Sequence, residues 1–266
     1  MSVVDGESTR PLALVTGASA GIGLEFCRQL ATGGYDLLVV ARDSARLEVL
    51  RRELEERHGV AVDVFPADLS LEDDVTRLVG IVAASPRLQL LVNNAGFGTR
   101  GELADASPAR QEAMLRVHAL APMRLSQAAL PALLKQRRGA IVNVSSVASF
   151  VYSAGNVNYC ATKAYLTTFS EGLAAELRAT GVRVQALCPG FTRSEFHQRM
   201  EVDANVLPGW MWLSAERVVR DSLRNLHRRG PVVCVPSLRY KLIVLVLRHL
   251  PRGIIGWLSR RRPAGM

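Results

Sequence analysis

The chain has 266 residues, of which 48% are hydrophobic, and this suits one globular domain with a large buried core. Lysine and arginine number 33 against 24 acidic residues, which gives a formal net charge of +9. No nucleic-acid-binding motif accompanies this charge and aromatic residues make up only 6% of the chain, so we expect no nucleic-acid partner.

The cysteines and the N-terminal residues indicate a reducing compartment. Cys27, Cys160, Cys188 and Cys234 are far apart, lack C-x-x-C spacing and lie in or beside apolar runs, which predicts free thiols and no metal site. Residues 1–10 are polar and acidic, so we interpret them as a loose tail, not as a secretory signal or a membrane anchor. We therefore expect a cytoplasmic protein.

Short apolar runs alternate with amphipathic stretches over residues 11–236, which is typical of a parallel sheet with helices on both faces. Each run is too short for a helix and is rich in Val, Ile or Leu, so we predict seven buried strands in an α/β fold. The predicted strands are Leu12–Thr16, Asp36–Ala41, Ala61–Phe65, Leu88–Asn93, Ala140–Val144, Val182–Leu187 and Val232–Val235.

Helix starts between these strands are marked by residues that accept hydrogen bonds from a first helical turn. The predicted N-caps are Asp43, Ser70, Ser107 and Ser214. Two prolines, Pro122 and Pro131, interrupt the long segment after Ser107, where we predict a kink or an early stop.

Residues 237–266 form a basic and apolar C-terminal extension that we expect to be helical. Its uninterrupted apolar run is only Leu242–Leu247, whereas a transmembrane helix needs roughly 18 apolar residues. Two interpretations stay open: an interfacial helix in peripheral contact with an anionic membrane, or a helix packed on this subunit or on a second one.

A glycine-rich turn, Thr-Gly-Ala-Ser-Ala-Gly-Ile-Gly over residues 16–23, directly follows the first predicted strand. An amphipathic helix is predicted from Leu24 to Ala31. Glycines let the backbone approach a pyrophosphate closely, and the free N–H groups and positive dipole of a helix start favour its charge. A position between strand and helix predicts a phosphate-binding turn.

Four blocks in register resemble the short-chain dehydrogenase/reductase family. They are the glycine turn, Asn93–Gly96, Ser145–Ser146 and Tyr159–Lys163, and the resemblance runs from about Leu12 to Phe196. It implies one doubly wound, seven-stranded Rossmann domain with strand order 3-2-1-4-5-6-7. It also implies an oxidoreductase that transfers a hydride between NADP(H) and a carbonyl or secondary alcohol, assembled as a homodimer or homotetramer through the helices after Ser107 and around Tyr159.

Tyr159 and Lys163 are four residues apart and share one helical face. A neighbouring ammonium stabilises a phenolate, so we expect Lys163 to lower the pKa of Tyr159. The resemblance implies that Tyr159 is the acid in reduction and the base in oxidation, and that Ser146 holds the substrate oxygen while Ser145 is structural. It also implies that Lys163 hydrogen-bonds the nicotinamide ribose.

Cofactor preference is read after the second predicted strand, where NAD enzymes place a carboxylate. This sequence has Ala41 there, followed by Arg42, whose guanidinium can bind a 2′-phosphate, so we predict NADP(H) over NAD(H). The alternative is that Arg42 stacks on adenine or is solvated. By resemblance, Asp68 lies at the adenine, and Asn93 and Ala95 at the second ribose. The full predicted cofactor set is Gly17, Ser19, Gly21, Ile22, Gly23, Arg42, Asp68, Leu69, Asn93, Ala95, Gly96, Tyr159, Lys163, Pro189, Gly190 and Thr192.

His118 departs from the family pattern, which usually has an asparagine that supports a water relay to the lysine. An imidazole can pass a proton and titrates near neutral pH, so one hypothesis is that His118 preserves the relay with its own pH dependence. The other is a slowed or inactive site. That second hypothesis keeps open a different class of function, an NADP-binding sensor or scaffold without turnover.

Substrate recognition is predicted in the loop from Thr192 to Trp212, beyond the carboxyl ends of the strands. Apolar side chains in and near this loop predict a pocket for a lipid-like, aromatic or medium-chain carbonyl, or else form the core of a lid. These side chains are Phe97, Phe150, Phe196, Trp210, Met211 and Trp212.

Overall fold

The computed structural model describes residues 8–99, 101–193, 195, 208–250 and 253. Seven parallel strands form one sheet in the order β3-β2-β1-β4-β5-β6-β7, which confirms the predicted fold class and strand order. The strands are β1 (Leu12–Thr16), β2 (Asp36–Ala41), β3 (Val62–Pro66), β4 (Leu88–Asn93), β5 (Gly139–Val144), β6 (Val182–Leu187) and β7 (Val233–Cys234).

Four of the predicted strands have the predicted bounds, and three differ at their ends. β3 begins one residue later than predicted, because the Ala61 N–H donates to the Asp36 carboxylate at 3.0 Å instead of to a strand. β5 includes Gly139, and β7 is shortened to the two residues that pair with Ala186 and Leu187.

Helices cover both faces of the sheet. They are α1 (Gly21–Thr32), α2 (Ser44–His58), α3 (Glu72–Ala83), α4 (Pro108–Leu115), α5 (Ala121–Gln136), α6 (Val157–Glu176), α7 (Ala215–His227) and α8 (Leu238–His249). One apolar core joins the sheet to α1, α2, α7 and α8, and a second joins its other face to α3, α5 and α6. The four cysteines are free and buried, as predicted.

Two of the predicted caps are confirmed by side-chain bonds, since Asp43 and Ser214 accept from the third residue of α2 and α7. Ser107 precedes α4 without a capping bond from its side chain. The prediction for Ser70 was wrong, because α3 begins only at Glu72 and the Ser70 hydroxyl donates to the Asp68 carboxylate at 2.7 Å.

The predicted early stop at the prolines was also wrong. α4 and α5 are joined by a π-helical turn, Arg116–Leu120, and the helical stretch continues to Gln136. Pro122 lies in the first turn of α5, where a missing N–H is tolerated, and Pro131 lies within α5. The irregularity in the hydrogen bonding therefore falls before Pro122, at the turn that carries His118.

Candidate active site

The glycine turn after β1 is fastened to the segment that follows β4. The Asn94 amide donates to the carbonyl oxygens of Thr16 and Gly17, at 2.9 and 3.1 Å. The Thr16 hydroxyl accepts from the backbone N–H groups of Asn94 and Ala95, at 2.9 and 3.0 Å. A Cβ on Gly23 would clash with the Gly17 carbonyl oxygen, so a larger residue at position 23 would displace the glycine turn.

This arrangement fits a dinucleotide phosphate. α1 begins at Gly21, three residues earlier than the predicted Leu24, so Gly21, Ile22 and Gly23 form its first turn. N–H groups of a first turn lack partners within the helix and attract an anion. The side chains of Thr16 and Asn94, which hold the turn in place, were not among the predicted site residues, although both belong to the family blocks.

Ser146, Tyr159 and Lys163 meet at the carboxyl end of β5, as the sequence predicted. The Ser146 side chain is hydrogen-bonded to Tyr159 and also accepts from the Ala148 N–H at 3.1 Å. Lys163 Nζ lies 5.8 Å from the centre of the Tyr159 ring and donates to the Val144 carbonyl at 2.8 Å. Because α6 carries Tyr159 and Lys163 on one face, the three functional groups lie together.

Burial controls the ionisation of this site. Desolvation raises the pKa of Tyr159 to about 12, and the hydrogen bond from Ser146 offsets it only in part. Desolvation also lowers the pKa of Lys163 to about 8. We expected a lowered pKa for Tyr159, but its pKa is raised in this structure, because the cost of desolvating a phenolate outweighs the hydrogen bond from Ser146.

Ser145 supports the site from behind, in agreement with its predicted structural role. Its buried hydroxyl donates to the Lys163 carbonyl at 2.8 Å and lies 2.7 Å from the Thr167 hydroxyl. These contacts fix α6 against the end of β5. The position of Lys163 is thus set by its own backbone as well as by its ammonium.

His118 is buried in the π-helical turn, and both of its ring nitrogens have partners. Nε2 accepts from the Phe97 N–H at 3.0 Å, and Nδ1 lies 3.1 Å from the Thr162 hydroxyl. The Thr162 hydroxyl lies 3.0 Å from the Tyr159 carbonyl oxygen, to which it donates. Since Nε2 accepts, the ring proton must be on Nδ1, so His118 links the segment after β4 to the catalytic helix.

The same surroundings keep His118 neutral. Burial, and secondarily the charge of Lys163, lower its pKa well below the usual 6.5. An unprotonated imidazole with both nitrogens engaged does not titrate near neutral pH. The expectation that His118 itself titrates near neutral pH was therefore wrong, because it used the pKa of an exposed histidine.

Arg42 and Asp68 share the rim at the carboxyl ends of β2 and β3. The Arg42 side chain is 69% exposed, and its Nη1 lies 3.8 Å from Asp68 Oδ2. The other Asp68 oxygen accepts from the Ser70 N–H at 2.9 Å, which holds the carboxylate in place. The structure thus brings together the residues predicted for the adenosine end of the cofactor, with Ser19 half-buried in the glycine turn.

Three predicted cofactor residues direct their side chains elsewhere. Asn93 is buried and donates to Asn143 Oδ1 at 2.8 Å, and Leu69 lies in the apolar core. The Thr192 hydroxyl donates to the Gly190 carbonyl at 3.0 Å. Contacts of Asn93 and Leu69 with a cofactor would therefore come from their backbone.

The remaining predicted positions lie in turns at the same edge of the sheet. Gly96 packs on the His118 ring, and the Pro189 carbonyl accepts from the Val147 N–H at 3.0 Å. Gly190 faces Tyr240 of α8, whose ring would occupy the place of a Cβ. Replacing this glycine would displace α8 from the turn after β6.

The predicted pocket side chains fall into two groups. Phe97 packs edge-on against His118, with ring centres 5.7 Å apart. The His118 ring in turn packs edge-on against Tyr159. Phe150, Trp210 and Met211 contact α8 instead, and Trp212 packs against Phe191 with ring centres 5.9 Å apart. Phe196 lies outside the described residues.

The sequence matches the short chain dehydrogenase family model over residues 11–205. The chain belongs to the short-chain dehydrogenase family. Among its relatives, a short chain dehydrogenase of Pseudocercospora fijiensis is 36% identical over 71% of this chain, which spans only 62% of that protein. An uncharacterized oxidoreductase of Myxococcus xanthus is 36% identical over 69% of this chain and 72% of its own length.

Solved structures of the family share the whole fold. A short-chain dehydrogenase from Sphingobium yanoikuyae in complex with NADPH is 33% identical, with a TM-score of 0.82 over 96% of this chain and 98% of that one. A bulky-bulky ketone specific alcohol dehydrogenase from Comamonas testosteroni is 30% identical, with a TM-score of 0.79 over 97% and 98%. Members of this family are oxidoreductases that bind a nicotinamide cofactor, which agrees with the glycine turn described above.

Proposed function

We propose that this short-chain dehydrogenase is an NADPH-dependent reductase of apolar carbonyl compounds, or catalyses the reverse oxidation of the alcohols. The observation that carries the proposal is the contact of Tyr159 with both Ser146 and Lys163, at a site where Lys163 is buried and the other two side chains are half-buried. A turnover-competent enzyme of this class needs these three groups together, and the fold holds them there.

The chain's own residues have distinct roles in the proposed mechanism. The bound nicotinamide would supply the hydride. Ser146 would donate a hydrogen bond to the substrate carbonyl oxygen, and Tyr159 would transfer its hydroxyl proton to the same oxygen. Lys163 has two ammonium hydrogens beyond the one that Val144 accepts, and would use them to hold the nicotinamide ribose.

The raised pKa of Tyr159 supports the reductive direction. A phenol with a pKa of about 12 is protonated at neutral pH and is ready to act as the acid. As a base in alcohol oxidation it would first have to lose that proton in a buried environment. Tyr159 is therefore in the protonation state that reduction requires at neutral pH.

The preference for NADPH rests on Arg42. Its guanidinium is exposed at the rim and only loosely paired with Asp68, so it is free to turn toward a 2′-phosphate. A carboxylate that would repel this phosphate is absent from the preceding position, which is Ala41. The NADPH complex of the Sphingobium yanoikuyae relative is consistent with this assignment.

The apolar substrate class is supported by Phe97, which lies on His118 beside Tyr159. The Comamonas testosteroni relative is described as specific for bulky-bulky ketones, and a further solved structure with a TM-score of 0.83 and 25% identity concerns a 7beta-hydroxysteroid dehydrogenase. A bulky, apolar ketone is thus the first substrate type to test.

We also propose a homodimer or homotetramer and a peripheral membrane contact. Helices α4 to α6 carry exposed apolar side chains, among them Leu115, Leu120, Val157 and Tyr165, which a partner subunit would cover. α8 begins the basic, apolar C-terminal extension. A cytoplasmic location remains our expectation for the protein.

The test is NADPH consumption by the wild type and Tyr159→Phe against ketones, aldehydes and quinones at several pH values. Tyr159→Phe removes only the hydroxyl, so we expect turnover to fall by at least about a hundredfold while NADPH affinity is kept. Tyr165→Phe is the control, because Tyr165 lies on the same helix but is exposed.

Two results would contradict parts of this proposal. Loss of NADPH affinity in Tyr159→Phe would show that the hydroxyl serves binding and not proton transfer. Tight NADPH binding by the wild type, without turnover on the whole panel, would favour a cofactor-binding sensor or scaffold instead.

A further inference from the structure

Helix α8 is apolar on two opposite faces. Tyr240 and Val244 are buried against the core cluster that includes α7. The opposite face has a row of apolar side chains that are 54–71% exposed. This row, the outer stripe, consists of Leu238, Leu242, Leu245 and Val246. Exposed apolar rows of this kind mark interaction surfaces, because a helix needs only one apolar face to pack on its own domain.

Cations lie on both sides of the outer stripe. Successive residues of a helix are about 100° apart, which places Lys241 and Arg248 along one flank and Arg239 along the other. Arg248 also covers the Phe150 ring at 4.8 Å, and Arg239 donates to the Trp210 carbonyl. Apart from His249 at its C-terminal end, the exposed face of α8 is therefore apolar in its centre and basic at its edges, as in helices that lie in a bilayer interface.

A cleft of about 330 Å³ between α7 and α8 continues this basic surface. The basic cleft is lined by Arg217, Arg224, Arg228 and Lys241 and by a single carboxylate, Asp221, which lies 3.8 Å from Arg217. Leu238 of the outer stripe also lines the cleft, so the two features form one surface. An excess of three positive charges in a cleft calls for an anionic ligand.

The charge argues against two other occupants. A second copy docked here about a two-fold axis would bring the same cations against each other. Residues 251–266 contain Arg252, Arg260, Arg261 and Arg262 and no acidic residue, so covering the cleft with this segment would add like charge. None of the helices among the described residues is long and apolar enough to cross a membrane.

We propose that the outer stripe and the basic cleft together dock on an anionic phospholipid bilayer, with the stripe among the acyl chains and a headgroup phosphate in the cleft. This deepens the peripheral membrane contact in the proposed function. Tyr240 of α8 donates to the Met211 carbonyl at 2.7 Å and accepts from the Phe191 N–H at 3.1 Å. Docking through α8 would therefore set the predicted substrate loop beside the bilayer, where an apolar carbonyl compound concentrates.

The experiment is flotation of the full chain with vesicles of phosphatidylcholine alone or mixed with phosphatidylserine. Leu242→Ser with Leu245→Ser tests the stripe, and Arg224→Ala with Lys241→Ala tests the cleft. Point substitutions are preferable to removal of α8, because Tyr240 supports the loops of the site. Val49→Ser, at an exposed position of α2, is the control for the stripe. Arg52→Ala with Arg110→Ala, at two other exposed positions, is the control for the cleft.

We expect the wild type and the controls to bind mixed vesicles and not neutral ones, with binding weakened by salt. Removing two cations should weaken binding by about 25-fold, and the stripe variant should lose it. Equal binding by all variants, or binding to neutral vesicles alone, would overturn the proposal. The proposal would also be overturned if the wild type did not bind vesicles and the stripe variant sedimented as a monomer, since this would assign the face to a second copy.

The oxidoreductase proposal is tested separately in the same samples. NADPH consumption without vesicles should be unchanged in the stripe and cleft variants, because none of the four substituted residues contacts the site described above. A failure of vesicle binding with intact turnover would overturn only the docking surface. A failure of turnover with intact vesicle binding would overturn only the proposed reaction.

Discussion

His118 gives the sharpest physical prediction, because its buried neutral state makes folding depend on pH in a defined direction. In the unfolded chain its pKa is the usual 6.5, whereas burial and Lys163 lower it well below that value in the folded protein. The folded state therefore binds fewer protons than the unfolded state at acidic pH. It follows that His118 makes the free energy of unfolding fall as the pH drops below about 6.5, with no effect above.

The size of this effect has an upper bound. One proton bound by the unfolded but not by the folded state changes the free energy of unfolding by about 1.4 kcal/mol per pH unit. Replacing His118 with asparagine, the residue usual in the family, removes this proton. The slope of the unfolding free energy between pH 6 and pH 5 should then be lower than in the wild type by up to about 1.4 kcal/mol per unit.

Denaturant unfolding of the wild type, His118→Asn and His227→Asn at pH 7.5, 6 and 5 measures the slopes. His227 is exposed at the end of α7 and serves as the control, so its variant should follow the wild type. At pH 7.5, His118→Asn should lose about 1–3 kcal/mol, because the Phe97 N–H or the Thr162 hydroxyl loses its partner. Equal slopes in the wild type and His118→Asn would refute the neutral, buried histidine.

Three further substitutions test other parts of the site. Arg42→Ala should raise the KM for NADPH by about tenfold and leave that for NADH nearly unchanged, since one exposed charged contact is lost. Asn94→Ala should lower the free energy of unfolding by about 1–2 kcal/mol and weaken NADPH binding in a fluorescence titration, whereas Asn225→Ala at the end of α7 should leave NADPH binding unchanged. Lys163→Met should abolish turnover yet raise the free energy of unfolding at pH 7 by about 2 kcal/mol. This gain should shrink between pH 8 and 10.5, because the wild-type ammonium loses its proton there in the folded protein. A less stable variant with the wild-type pH slope would count against a charged, buried lysine.

The strands were predictable because their signal is local. Runs such as Leu12–Thr16 and Asp36–Ala41 are buried along their whole length, and a strand covered on both faces has a nearly continuous apolar sequence. The meeting of Ser146 and Tyr159 was predictable from the family blocks and from their places at one edge of a parallel sheet. Side-chain direction was less accessible, because Asn93 at the end of β4 points into the core instead of the site.

The errors arose where a side chain has a partner that the local pattern does not indicate. Ser70 does not cap the helix, because its N–H and its hydroxyl both donate to Asp68, two residues earlier. The partners of His118 are Phe97 and Thr162, which lie 21 and 44 residues away in the sequence, and no local pattern indicates them. His118 is buried and Tyr159 is half-buried, and desolvation is the main cause of both pKa shifts.

The stability cost of the site is itself evidence for its function. Lys163 is 5% exposed, and burial of its ammonium opposes folding at neutral pH. The partners at its side, the Val144 carbonyl and the face of the Tyr159 ring, carry no full negative charge to compensate it. A methionine of similar length would pack there without that cost, so packing alone does not account for a lysine. The ammonium is accounted for if it binds a cofactor ribose, which is the role proposed above and the one that Lys163→Met tests.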